Sequence, residues 1–159
     1  MLTILVIDII FKTLKQYQKL VVQDDLKEIV KSLKSDPIVQ IALGWTGGSC
    51  KKTSSIIYIP TINEDKCIWD LYRYIEAATG ELPKVPDEFS GTKQVYRTLS
   101  EELTALKDKV ETLFRIAYGQ YQASEWEIRD KLADIELHKV RIMVCFKMIG
   151  LNISKYLKD

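Results

Sequence analysis

The chain has a single histidine, His138, and it stands four residues after Asp134, itself four after Asp130. Carboxylates and an imidazole spaced in this way project from one side of a helix and can hold a metal ion. A complete site needs ligands from a second helix, for which Glu101, Asp108 and Glu111 are the candidates. None of them forms the Glu-x-x-His pattern of carboxylate-bridged metal bundles. The simpler expectation is a solvated charged face shared with Arg129 and Lys131. Any serine or cysteine nucleophile would have to use that one histidine as its base, and no GxSxG elbow is present. Cys145, in an apolar stretch seven residues on, reads as a buried, inert thiol. The sequence therefore leads to no catalytic residue, no metal and no cofactor, and leans away from an enzyme.

The cations offer a different chemistry. Gly47-Gly48-Ser49-Cys50-Lys51-Lys52-Thr53 is glycine-rich and basic, but it lacks the Gly-Lys-Ser/Thr order of a nucleotide-binding loop. A strand-like run follows it, where such a loop requires a helix. Lys51 and Lys52 still suit a polyanion, with hydroxyls alongside. Lys12, Lys15 and Lys19 form a second basic row at helical spacing. Lys139, Arg141, Lys147, Lys155 and Lys158 form a third, and from 137 to 159 the only acid is Asp159. If the fold gathers these groups, Lys51, Lys52, Lys139, Arg141 and Lys147 make a surface that tracks a nucleic-acid backbone. If it keeps them apart, they are ordinary solubilising charge, which the helix dipole alone favours near a helix C-terminus.

Composition narrows the classes. The 159 residues fit one domain, and 47% hydrophobic content allows a core without staples. The formal net charge of +1 gives no global attraction to nucleic acid or an anionic membrane. Three cysteines, Cys50, Cys67 and Cys145, are too few for a disulfide scaffold and read as reduced thiols. A Cys50–Cys67 bridge is the alternative, suited to an oxidising compartment or a hyperthermophile cytosol. The apolar run 2–11 has no basic leader before it and carries Asp8 inside it. It is too short to span a bilayer, so a cytoplasmic protein with no membrane contact is expected.

The elements that position these groups are mostly helical. Ile7, Ile10, Phe11, Leu14, Tyr17 and Val21 share a face in 3–22, with a short first strand as the minority reading. Asp25 and Glu28 have capping-box spacing ahead of Leu26, Ile29, Val30 and Leu33. Asp36-Pro37 restarts the chain as N-cap and first helical residue, and Gly44 can take a left-handed cap. Ser55 to Ile59 reads as a strand, paired with 41–46 in a small hairpin. Whether 38–45 is helix or strand stays open. Asn63 caps a helix striped by Ile68, Leu71, Tyr72 and Ile75 and ended by Gly80. Residues 81–91 form a surface connection. Val95, Leu99, Leu103, Leu106, Val110, Leu113 and Ala117 step by three and four through about seven turns. Ser124 opens a last long helix whose second half, 140–149, is apolar on several sides. Such a helix is central in its core or covered by a partner.

The expected fold is mainly α: one domain, 1–159, with about five to six helices and a small β-hairpin insertion around 41–60. Its parts are helices in 3–44, the insertion at 45–60, a helix at 63–79, the linker 81–91 and long helices in 92–157. Trp45, Trp69, Trp126, Tyr72, Tyr74, Tyr118 and Tyr121 serve as core or as interface anchors. The expected function is a non-enzymatic subunit that binds other protein subunits or itself, with nucleic acid as a possible further partner. The layout resembles the small helical subunits of CRISPR effector complexes, and that resemblance implies contact with RNA or DNA phosphates. A helical enzyme or metal protein using Asp130, Asp134 and His138 is the third reading.

Overall fold

A computed structural model describes residues 25–48 and 64–157. Five helices and short 3-10 segments make up the regular structure of the described residues, which contain no strand. Helix α1 covers 25–35, α2 Pro37–Gly44, α3 Glu64–Thr79, α4 Thr92–Ala117 and α5 Glu125–Met148, followed by the turn Ile153–Tyr156. Among the described residues, no helix is long and apolar enough to cross a membrane. The helix read in 3–22, the strand at 55–59, the Asn63 cap and Lys51 and Lys52 lie outside the described residues.

Helix α4 is the centre of the packing, with α2, α3 and α5 all laid against it. Its 26 residues extend about 39 Å. The face that the leucine spacing predicts is the buried one: Leu99, Leu103, Leu106, Val110 and Leu113 are wholly removed from water. At its ends the innermost residues are Tyr96 and Ile116, with Val95 and Ala117 only half-buried beside them. Tyr96 is drawn inward because its hydroxyl donates to the Lys84 carbonyl (2.7 Å). Helix α5 runs back antiparallel to α4 after the break at Gly119, whose φ of +75° a residue with a Cβ would resist. Ser124 caps α5 as expected, its hydroxyl accepting from the Glu127 N–H (3.2 Å).

Helix α2 settles the ambiguity at 38–45. Ile41 to Gly44 are helical and 45–47 irregular, so the first strand of the expected hairpin does not form. The Asp36 carboxylate accepts from the Ile38 N–H (2.9 Å) and starts this helix, with Pro37 just inside. A helix also buries four of its eight residues, Ile38, Val39, Ile41 and Ala42, against α4 and α5. Alternating burial in a strand would cover fewer of them. Gly44 is not a left-handed cap. A Cβ there would stand 2.6 Å from the Tyr74 hydroxyl, which donates to the Ile41 carbonyl. The glycine is there to let the Tyr74 side chain approach. Asp25 is already helical, so it does not open α1 as the N-cap its spacing suggested.

Two further details differ from expectation. Cys67, on α3, is disulfide-bonded, whereas reduced thiols were expected; its proposed partner Cys50 lies outside the described residues. Cys145 is a free, buried thiol, and burial pushes it up to about 11, with the Glu102 charge adding to the effect. The linker 81–91 is tied down at several points. The Lys84 N–H donates to the Ile149 carbonyl (2.8 Å), and the Thr92 hydroxyl bonds within its own loop, accepting from the Asp87 N–H (2.6 Å). Glu81 accepts from the Asn152 N–H (3.1 Å) and pairs with Lys155 (3.0 Å), which closes the C-terminal turn onto the linker.

Two outcomes follow from these contacts. Thiol titration of denatured, unreduced protein is expected to count one free thiol, and a count of three would remove the disulfide. The Lys155 ammonium and the Asn152 N–H hold the Glu81 carboxyl below the ordinary carboxylate range. Its contribution is therefore complete above that range and is lost as pH falls through the lower folded value. Amide protection factors at 152–157 are expected to drop on acidification, and Glu81→Gln should flatten that dependence. Identical profiles for the two proteins would show that Glu81 does not hold the turn.

Candidate functional site

Helix α5 has two usable faces. The inner one carries Ile128, Ile135, His138, Ile142, Cys145 and Phe146 against the rest of the bundle. His138 is therefore buried, not part of a solvated charged face. Its Nδ1 contacts Glu102 of α4, and its Nε2 lies 2.7 Å from the Lys109 ammonium. Lys109 also reaches Asp134 (3.1 Å), and Arg141 stands 3.5 Å from the other Glu102 oxygen.

Donor counting fixes the protons. A charged ammonium can only donate, so Nε2 accepts and the ring proton resides on Nδ1, where it donates to Glu102. This imidazole resembles the base of a carboxylate–histidine pair, but the nitrogen that would take a substrate proton is occupied by Lys109. The row Glu102–His138–Lys109–Asp134 accordingly joins two helices and leaves no imidazole lone pair open. Asp130 is exposed and makes none of these contacts. Glu101, Asp108 and Glu111 line a different depression, with Trp45, Thr46 and Gly47. Among the described residues, no group of three or more His, Cys, Asp or Glu side chains is placed to hold a metal ion.

Glu102 is the residue the sequence reading missed. Its signal lay in spacing: Glu102 and Lys109 are seven apart on α4, while Asp134, His138 and Arg141 are four and three apart on α5. Antiparallel packing brings those two rows along one seam with alternating charge.

The basic residues take separate roles. Lys139 is turned inward, with its side chain only 12% exposed, and pairs with the buried Asp36 carboxylate at 2.6 Å. Burial works against its charge, but Asp36 outweighs burial and lifts Lys139 above the ordinary lysine range. Its ammonium is thereby committed to the N-cap of α2. Lys155 is held by Glu81 and by the Thr79 carbonyl (3.1 Å). Arg141 and Lys147 are exposed. At 100° per residue they fall on opposite flanks of the outer face of α5, not on one track.

Between those flanks runs the second apolar face. Leu137, Val140, Val144 and Met148 step by three, four and four residues and are 46%, 50%, 53% and 54% exposed. Ala133, also exposed, and Trp126, 66% exposed, extend the line toward the N-terminus of α5. Tyr118 and Tyr121 are exposed nearby in the α4–α5 connection, whereas Trp45 is in the core against Tyr74. The all-round apolar character of 140–149 thus has two causes: one set of side chains fills the core, and another faces outward. Comparison with family models, characterised proteins and solved structures finds no match for the chain.

Replacing Glu102 by Ala strands the buried Nδ1–H of His138, a loss of about 1–3 kcal/mol in urea unfolding. Glu102→Gln, which keeps an acceptor oxygen, should cost less. A neutral Glu102→Ala would mean that the polar row does not hold the two helices.

Proposed function

We propose that this protein is a non-enzymatic helical subunit of a larger macromolecular assembly, acting by protein–protein contact through the outer face of α5. The observation that carries this reading is the stripe Leu137–Val140–Val144–Met148, about half exposed on a helix whose opposite face is wholly packed. Isolated surface leucines are ordinary, but an aligned row of large apolar side chains along three helical turns is what an interface provides. Charged groups stand on both sides of the row, Glu136 and Lys147 on one and Arg141 on the other, as at the polar rim of a protein contact. The commitment of Lys139 and Lys155 to acidic partners leaves fewer cations for phosphate contact in this region. The one histidine is engaged on both nitrogens, which argues in the same direction against acid–base chemistry.

A photo-crosslinking amino acid at Val144, expressed in the native host, tests the reading. An intermolecular protein adduct at 144, absent when the crosslinker replaces exposed Glu76 on α3, is expected. Recovery of nucleic acid alone, or of uncrosslinked chain alone, would overturn it.

A further inference from the structure

We infer that the outer face of α5 pairs with the same face of a second copy of this chain, antiparallel and about a twofold axis at the level of Ile142. This rests on the proposed protein–protein role of that face and names its partner. The stripe is self-complementary. Leu137 and Met148 are equidistant from residue 142 to within one position, and Val140 and Val144 are equally distant from it. Two antiparallel copies therefore place Leu137 of one opposite Met148 of the other, and Val140 opposite Val144. A closed twofold contact requires this: one patch must meet itself.

Charge selects the antiparallel direction. The first half of α5 carries Glu125, Glu127, Asp130, Asp134 and Glu136, against Arg129 and Lys131. From 137 to the end of α5 the charged residues are Lys139, which is held inward by Asp36, and the exposed Arg141 and Lys147. A parallel pair would set like charges side by side, whereas an antiparallel pair opposes acidic and basic halves. The register adds a specific contact. Glu136 and Lys147 lie on the same flank of the stripe by helical angle, and both are exposed; Glu136 also reaches the Lys139 ammonium of its own chain at 3.4 Å, a long contact that leaves its carboxylate open to solvent. In an antiparallel pair each flank meets its own equivalent. Glu136 of one copy then stands beside Lys147 of the other, and symmetry makes the contact twice.

The experiment is light scattering with sedimentation equilibrium on the full chain at low salt, over micromolar concentrations, with melting followed by circular dichroism. Wild type is expected at twice the mass of the chain. Val144→Glu is expected to be monomeric with unchanged helicity, because the position is half exposed and opposite the core. Glu136→Lys and Lys147→Glu are each expected to raise the dimer dissociation constant about tenfold. The double variant Glu136→Lys/Lys147→Glu exchanges the partners and should return toward wild-type affinity. Recovery in the double variant would not occur if the two charges met anything but each other.

A monomeric wild type overturns the pairing. So does a dimer that Val144→Glu leaves intact, or a double variant no better than the singles. If wild type is monomeric and Val144→Glu lowers its melting temperature, the chain covers the face with its own residues, and the pairing again fails. The broader reading is judged separately by the Val144 photo-adduct. An adduct with a different protein would end the self-pairing and leave the protein–protein role standing, while no adduct and no dimer would end both.

Discussion

Leu99, Leu103, Leu106, Val110 and Leu113 of α4 are completely withdrawn from water, and burial of each such side chain contributes about 1.5–3 kcal/mol. Their packing against Ile128, Ile135, Ile142 and Phe146 is the contact on which the other helices are built. Apolar packing alone tolerates sliding by a turn. The polar row along the same seam does not. Glu102, His138, Lys109 and Asp134 satisfy one another only in one alignment of α4 with α5, since a slip would leave buried polar groups without partners. The leucines supply apolar burial, and the polar row fixes the register.

That register decides what is left outside. With His138, Ile142 and Phe146 turned inward, the geometry of a helix turns Leu137, Val140, Val144 and Met148 outward. The outer stripe follows from the inner one. Among the described residues its side chains stay about half exposed, while α4 and α2 pack against the other side of the helix. The same alignment carries Lys139 to Asp36, so that one lysine both neutralises a buried carboxylate and anchors the N-terminus of α2 to α5. A residue that looks like part of a basic surface in the sequence is thereby a tertiary tie.

The ends of the bundle are closed by polar contacts. Tyr96 holds the linker through Lys84, Lys84 holds Ile149, and Glu81 holds Asn152 and Lys155. None of these pairs is close in sequence. Apart from the Glu81–Lys155 ion pair, each satisfies a backbone carbonyl or N–H at or beyond a helix end, which a chain turning between long helices must do somewhere.

The sequence by itself determined the helices that carry a strong period. The spacing of Leu99 to Leu113 fixed α4, Ser124 and Gly119 marked the break before α5, and Asp36-Pro37 marked the start of α2. These are local effects of side-chain period, capping and backbone freedom, so they are readable without neighbours. The double apolar character of 140–149 was also visible, as was the choice between core and partner that it posed. Tertiary structure decided the rest. It made 41–44 helix, because packing on α4 and α5 outweighs a short β-branched preference. It turned Gly44 from a cap into a landing site for Tyr74, and it selected Glu102 over Glu101 as the partner of His138. A side chain's position around its helix is set by its own sequence, but what it meets depends on the angle and offset of the helix laid against it.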